Sequence, residues 1–240
     1  AGEIIFFWVS RMIMLGLYVT GKIPFKTVYL HGLVLDAKGV KMSKSKGNVI
    51  DPLVLTGKYG TDAFRMGMVI GNTPGTSLAL AEERIRGYKN FANKIWNVTR
   101  FVLDNTKDFK VVDVKIYDEE DRKSEEDLNN LIKVITKEMD EYKFYIVAEK
   151  LYHYFWHTFA DVIIERSKKK ILENKNTDSA KTLLVRHLDI LLKALHPFMP
   201  FVTEEIWSMM PATNKNLLMV EKWPFDYAHD LRPHKTKKPC

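Results

Sequence analysis

Cysteine is almost missing from this chain: of 240 residues one is cysteine, Cys240, the last. No disulfide can close within the chain, which suits a reducing compartment and points to the cytoplasm. Long apolar runs are also missing. The nearest approach, residues 4–19, is interrupted by Arg11, contains Gly16 and Tyr18, and is too short to cross a bilayer. The His-Glu-x-x-His pattern of zinc enzymes does not occur, and there are no internal repeats or low-complexity tracts. Composition is otherwise that of a globular protein, 46% hydrophobic and 28% charged. The length is enough for one or two domains with cores of their own.

Acidic residues are scarce in one half only. Residues 1–110 hold 16 of the 37 Lys and Arg but 8 of the 30 Asp and Glu, which leaves 21 basic and 22 acidic residues for 111–240. The formal net charge of +7 therefore arises in the first half, where Lys38, Lys41, Lys44 and Lys46 crowd together. Such an excess suits a polyanionic partner. A second basic group, Arg232, Lys235, Lys237 and Lys238, lies in the tail and reads as disordered chain, with contact to RNA phosphate as the alternative.

The apolar spacing of Ile4, Trp8, Met12 and Leu15 predicts a buried helix that starts with no polar lead-in, as in a piece of a longer chain. Residues 26–36 read as a strand of a parallel sheet, apolar on both faces, whose partners would have to come from elsewhere. Asp36-Ala37-Lys38-Gly39 is a turn. Asp51-Pro52 opens a short helix and Asp62 is the expected cap of a second. A long amphipathic helix is predicted over residues 81–105. A loop follows over 106–127, then helices near 127–141, 143–172, 178–195 and 203–210, and a strand at 217–220. The fold class is thus a partial α/β segment over residues 1–80, a mainly α-helical bundle over 81–225, and a flexible tail over 226–240.

The most informative stretch is Lys41-Met42-Ser43-Lys44-Ser45, followed by Gly47 and Asn48. Two lysines three apart on a loop can converge on one polyphosphate, and two serines add hydroxyl donors. Such a loop can close on ATP and neutralise the charge that develops on departing pyrophosphate. A solvated lysine-rich turn is the plainer alternative, and the setting after a strand and a tight turn argues against it.

KMSKS, in the context His31-Gly32-Leu33-Val34-Leu35-Asp36 before it and Tyr59-Gly60-Thr61-Asp62-Ala63-Phe64-Arg65 after it, resembles the second motif of the class I aminoacyl-tRNA synthetases. The flanks resemble the branch that handles valine, isoleucine, leucine and methionine. Asn90-Phe91-Ala92-Asn93-Lys94-Ile95-Trp96-Asn97 and His196-Pro197-Phe198-Met199-Pro200-Phe201 look like the valyl family. The resemblance runs to about Pro224. It implies a Rossmann-like catalytic segment joined to an anticodon-binding bundle. The parent would be a monomeric, cytoplasmic ligase whose partners are ATP, L-valine and a valine-specific tRNA, with magnesium arriving on the ATP. It implies that Lys41 and Lys44 contact ATP, Lys44 chiefly at the leaving pyrophosphate. Met42, Ser43 and Ser45 would share the nucleotide site, and His31 and Gly32 would lie beside the adenosine. Glu3, Ile4 and Trp8 match positions around the bound amino acid, although Glu3 stands where aspartate is common. An ordinary core role for Ile4 and Trp8 fits the residues equally well. The first motif of the class, His-Ile-Gly-His or similar, is found nowhere in the 240 residues. The family's editing domain and C-terminal coiled coil are absent as well. This chain alone is therefore expected to be inactive. Two other readings stay open: an RNA-binding module without catalysis, and an isoleucyl sister enzyme.

Weaker signals have structural explanations. His153, His157 and Asp161 have helical spacing that a metal site could use, but the aromatic residues around them favour a packed helix. Lys168-Lys169-Lys170 and the acidic run 118–127 read as solvated faces. On the 81–105 helix, Arg86, Asn90, Asn93, Asn97 and Arg100 are spaced 4, 3, 4 and 3 and share one face. Asparagine is a poor interior helix residue because its side chain competes for backbone hydrogen bonds. The stripe is therefore expected either to satisfy buried groups at a joint between the two regions or to contact tRNA.

Overall fold

A computed structural model describes residues 2–107, 118–211 and 216–225. Helix α1 (Ser10–Thr20) is led in by a wide π-helical turn, Ile5–Val9, and ends where Gly21 takes up φ +65° and donates its amide to the Leu17 carbonyl. The spacing predicts this helix correctly, but the expected burial is not found. Phe6 is 75% and Tyr18 89% exposed, because the helix packs mainly against its own lead-in. Apolar spacing specifies which face wants burial; it cannot supply the surface that does the burying.

Strands β1 (Val34–Leu35) and β2 (Leu78–Ala79) pair in parallel, Val34 opposite Leu78. The parallel sense is as expected. Two details differ: the strand is much shorter than residues 26–36, and its partner lies within the chain. The approach of the two segments continues past the regular ladder, with the Gly75 amide donating to the Leu30 carbonyl at 2.9 Å. Gly32 permits this. A Cβ there would sit 1.6 Å from the Thr76 carbonyl oxygen, so no other residue fits without parting the chains.

After the lysine loop come α2 (Pro52–Tyr59) and α3 (Thr61–Val69). Asp51 caps α2 as predicted, accepting the Leu53 amide at 2.8 Å with proline at the first helical position. The expectation for Asp62 is corrected. It lies inside the first turn of α3, and its carboxylate instead accepts the amides of Phe201 and Val202, far along the chain.

The bundle comprises α4 (Glu82–Thr106), α5 (Glu119–Asp140), α6 (Phe144–His153), α7 (Ile164–Leu172), α8 (Thr177–Leu195) and α9 (Pro200–Met209). A π-helical stretch, Tyr154–Ile163, joins α6 and α7 into one rod. Phe91 and Ile95 of α4, Ile132 and Ile135 of α5, Phe155 and Phe159 of the π stretch, and Leu183, Leu188 and Leu191 of α8 fill the core and are fully buried. Each contributes on the order of 1.5–3 kcal/mol of apolar burial. Met66 and Ile70 of α3 belong to this same core. A smaller cluster of Leu55, Ala63, Leu80 and Ile85 packs with Val34 and Ile50 beneath the lysine loop.

Helix α5 begins earlier than the expected 127 because Asp118 caps it, accepting the Glu120 amide at 2.9 Å. The reading of 118–127 and of Lys168-Lys169-Lys170 as solvated faces is overturned in part. Asp121 is fully buried and accepts from Arg166 at 3.0 Å, Lys170 at 2.9 Å and the Ser179 hydroxyl at 2.9 Å. Lys170 also donates to Asp118, and this bond holds the Asp118 carboxyl down at about 2. A buried carboxylate needs such partners, and charge patterning along one helix does not reveal them. The strand expected at 217–220 is instead a 3-10 turn, Leu218–Val220, with Leu218 buried and its amide held by Glu204. The tail from residue 226, with its basic cluster, lies outside the described residues.

Candidate nucleotide loop and RNA surface

The lysine loop has a fixed neck and an open tip. At the neck, one oxygen of Asp36 accepts the amides of Lys38 and Val40 at 3.0 and 2.8 Å, which closes the predicted turn. Its other oxygen accepts the Asn48 side-chain amide at 2.9 Å. Asn48 in turn accepts the Ser43 amide at 2.9 Å and donates to the Lys41 carbonyl at 3.3 Å. These bonds, the Asn48 amide foremost, hold the Asp36 carboxyl below its ordinary range. Leu35 and Lys41 form an antiparallel bridge, so the loop leaves and returns beside the end of β1. Lys44, Ser45 and Lys46 make one 3-10 turn, closed by Gly47 at φ +64°. At that φ a side chain would be strained, hence glycine.

Sequence reasoning missed Asp36 and Asn48 as loop-holding residues. An Asx residue just past a glycine, within reach of the loop it follows, was the available signal.

At the tip, Lys44 is exposed and forms no ion pair among the described residues. The Ser43 and Ser45 hydroxyls lie 3.2 Å apart. The Met42 sulfur accepts the Ile50 amide at 3.5 Å, pinning the loop to the cluster beneath it. Lys41 is brought to Glu3, with Nζ 3.3 Å from the carboxylate; both are largely exposed, so the pair itself stabilises little. That contact gathers the turn carrying Ile4 and Trp8 to the loop. Ile4 is 48% and Trp8 62% exposed, so neither serves as core among the described residues. His31 is exposed, its Nδ1 donating to the Gly32 carbonyl at 2.8 Å, while Gly32 itself is buried. Ammonium groups and hydroxyls on a hydrogen-bonded neck are a donor set for phosphate oxygens.

The α4 stripe is as regular as the spacing implies, and Arg86, Asn90, Asn93, Asn97 and Arg100 are all exposed. The joint reading is not realised by these residues. Asp62 and Arg65 make side-chain bonds across the two regions instead. His153 and His157 stack with centroids 5.6 Å apart, and Asp161 is paired with Lys94 at 2.9 Å. Among the described residues no cluster of three or more His, Cys, Asp or Glu could hold a metal ion, and no helix is long and apolar enough to cross a membrane.

Residues 2–81 match the family model for class I tRNA synthetases (I, L, M and V), and residues 121–238 match that for the anticodon-binding domain of tRNA ligase. The chain is 44% identical over 229 residues to a valine–tRNA ligase of Geobacter sulfurreducens, which covers 92% of this chain and 26% of that protein. It is 43% identical over 222 residues to the valine–tRNA ligase of Thermotoga maritima, covering 92% and 25%. Among solved structures, a LeuRS of Agrobacterium radiobacter in a ternary complex with tRNA and LeuAMS superposes with a TM-score of 0.67 at 24% identity, covering 89% of this chain and 26% of that one. A methionyl-tRNA synthetase of Mycobacterium tuberculosis in complex with methionyl-adenylate gives 0.64 at 20% identity, covering 75% and 37%. At those identities the two structures show the shared fold: an α/β segment followed by a helical bundle. The chain spans about a quarter of the length of the curated relatives it matches. With a lysine loop on the first matched stretch, a helical bundle on the second, and valine–tRNA ligases at 43–44% identity over 92% of its length, this chain belongs to the class I aminoacyl-tRNA synthetases.

Proposed function

We propose that this chain serves within a valine–tRNA ligase, supplying the ATP loop and a tRNA-binding surface. Valine's carboxylate attacks the α-phosphorus of ATP. The bond to the bridging oxygen breaks, pyrophosphate departs, and valyl-adenylate remains. A ribose hydroxyl of the tRNA then attacks the valyl carbonyl, and AMP leaves. The observation that carries the reading is the lysine loop itself: a neck closed by Asp36 and Asn48, with Lys44 exposed on its tip. An ammonium so presented, on a loop already held in place before the reaction, stabilises charge as it moves onto pyrophosphate. Lys41 and Lys44 act on the phosphates, Met42, Ser43 and Ser45 complete the loop, and His31 and Gly32 border the adenosine. Glu3, Ile4 and Trp8 line the amino-acid side. Glu3, the residue before Ile4, pairs with Lys41, which supports a ligand role for this turn. The donor set suits phosphate rather than a metal, so magnesium arrives on the nucleotide.

Residues 1–80 carry the chemistry, and residues 81–225 bind RNA. The exposure of the Arg and Asn stripe on α4 favours RNA contact, with arginines on phosphate and asparagines on base or ribose. The parent is cytoplasmic and monomeric in this reading. ATP–pyrophosphate exchange by the complete protein, assayed with valine and isoleucine in turn, tests it. Valine-dependent exchange is expected. Exchange with isoleucine instead would assign the sister enzyme, and tRNA binding without exchange would leave an RNA-binding module.

A further inference from the structure

Helix α9 has no capping side chain of its own. Its N-cap, Met199, offers none, and proline at the first helical position offers no amide. The next two amides, of Phe201 and Val202, point to Asp62 on α3, at 3.2 and 2.6 Å from its two carboxylate oxygens. Asp62 is buried, and desolvation raises its carboxyl above the ordinary range, against the pull of these two amides. A buried carboxylate on a helix N-terminus completes the cap and complements the helix dipole.

Three residues on, Arg65 shares the face of α3 with Asp62. Its guanidinium donates to the carbonyls of Pro197 and Phe198, at 2.9 and 3.3 Å. The α8–α9 corner is therefore gripped at both ends, amides by the acid and carbonyls by the base. A second grip lies elsewhere on the bundle. Tyr29, in the segment leading to β1, packs on Tyr142 and Phe144 at the α5–α6 corner, with centroids 6.2 and 5.6 Å away.

The body doing the gripping also holds the lysine loop. Ile50, whose amide meets the Met42 sulfur, packs with Leu55 of α2 and Ala63 of α3 in one cluster. From loop to corner there is packed structure throughout, with Ala63 adjoining Asp62 in sequence. A rigid chain of this kind relates the position of the tRNA-binding bundle to the position of the ATP loop.

We propose that Asp62 and Arg65 are positioning residues that set the bundle against the lysine-loop body, so that transfer to tRNA, more than amino-acid activation, depends on them. The inference rests on the valine–tRNA ligase reading above. Activation needs the assembled nucleotide site but not the bundle; transfer needs the tRNA held in register with the adenylate, and a misplacement of about 1 Å can cost on the order of a hundredfold.

The test uses the complete enzyme with Asp62→Ala, Arg65→Ala, the double variant, and the conservative Asp62→Asn and Arg65→Lys. Pyrophosphate exchange, tRNA charging and thermal midpoint are measured for each. Exchange is expected within about twofold of wild type, while kcat/KM for tRNA falls by roughly tenfold or more. Asp62→Asn, which keeps one acceptor for an amide, should recover much of the loss. The double variant should lose less than the product of the single losses, since both residues hold one corner. Proportional loss of exchange and charging in the conservative variants, or unchanged charging in the alanine variants, overturns the proposal. Absence of valine-dependent exchange in wild type would overturn the underlying ligase reading instead.

Discussion

Lys44 and His187 are single residues with opposite surroundings, and each sets a measurable quantity. Lys44 is exposed at the tip of a fixed loop. In the complete enzyme Lys44→Ala should slow adenylate formation with a smaller effect on valine affinity, because its contact strengthens as charge reaches pyrophosphate. A loss of about 2–4 kcal/mol is expected for one oriented donor. Pre-steady-state exchange rates within twofold of wild type would remove the role assigned to it. His187 is fully buried, with Nδ1 donating to the Leu183 carbonyl and Nε2 accepting from the Tyr154 hydroxyl. Burial pushes it down to about 4 from 6.5. The native state then binds fewer protons than the unfolded chain between those values. Stability is fully present above pH 6.5 and falls as pH drops toward 4, by on the order of 2–3 kcal/mol. Urea midpoints of His187→Gln should show a shallower pH dependence in this window than those of wild type.

Among the elements, α4 carries the clearest expectation. Its stripe is exposed, so Asn93→Ala with Asn97→Ala should leave the thermal midpoint unchanged or raise it, each alanine adding roughly 0.5 kcal/mol of helix propensity. The same double variant should bind tRNA more weakly. A fall in thermal stability would restore the joint reading that the exposure argues against. The β1–β2 pair depends on one missing Cβ. Gly32→Ala must displace the Thr76 backbone, and a loss of at least about 2 kcal/mol is expected, read by denaturant titration of the complete protein.

For the molecule as a whole, binding to tRNA should weaken steeply with salt, since arginines and lysines on phosphate release counterions. Filter binding between about 50 and 200 mM salt checks this; indifference to salt would count against RNA. The 240-residue chain by itself should show no valine-dependent pyrophosphate exchange. It has no His-Ile-Gly-His tetrapeptide to complete the nucleotide site, and two lysines cannot orient ATP alone.

Local chemistry was written plainly in the sequence. The KMSKS loop, the Asp51-Pro52 helix start, the turn at Asp36 and the amphipathic spacing of α4 each rest on contacts within a few residues. The family is equally legible, because a five-residue loop and its flanks are local text. What the sequence could not disclose are the bonds between segments far apart. Asp62 looked like the cap of its own helix, yet its amides lie 139 and 140 residues away. Asp121 and Lys170 looked like solvated charges and form a buried network across α5, α7 and α8. Residues 26–36 carry strand composition, but only a partner within reach, Leu78–Ala79, determines how much of them pairs. Propensity and spacing report what a segment would bury or donate. Only the tertiary structure decides which remote segment receives it, because a charge or an apolar face is satisfied by whatever the fold brings next to it.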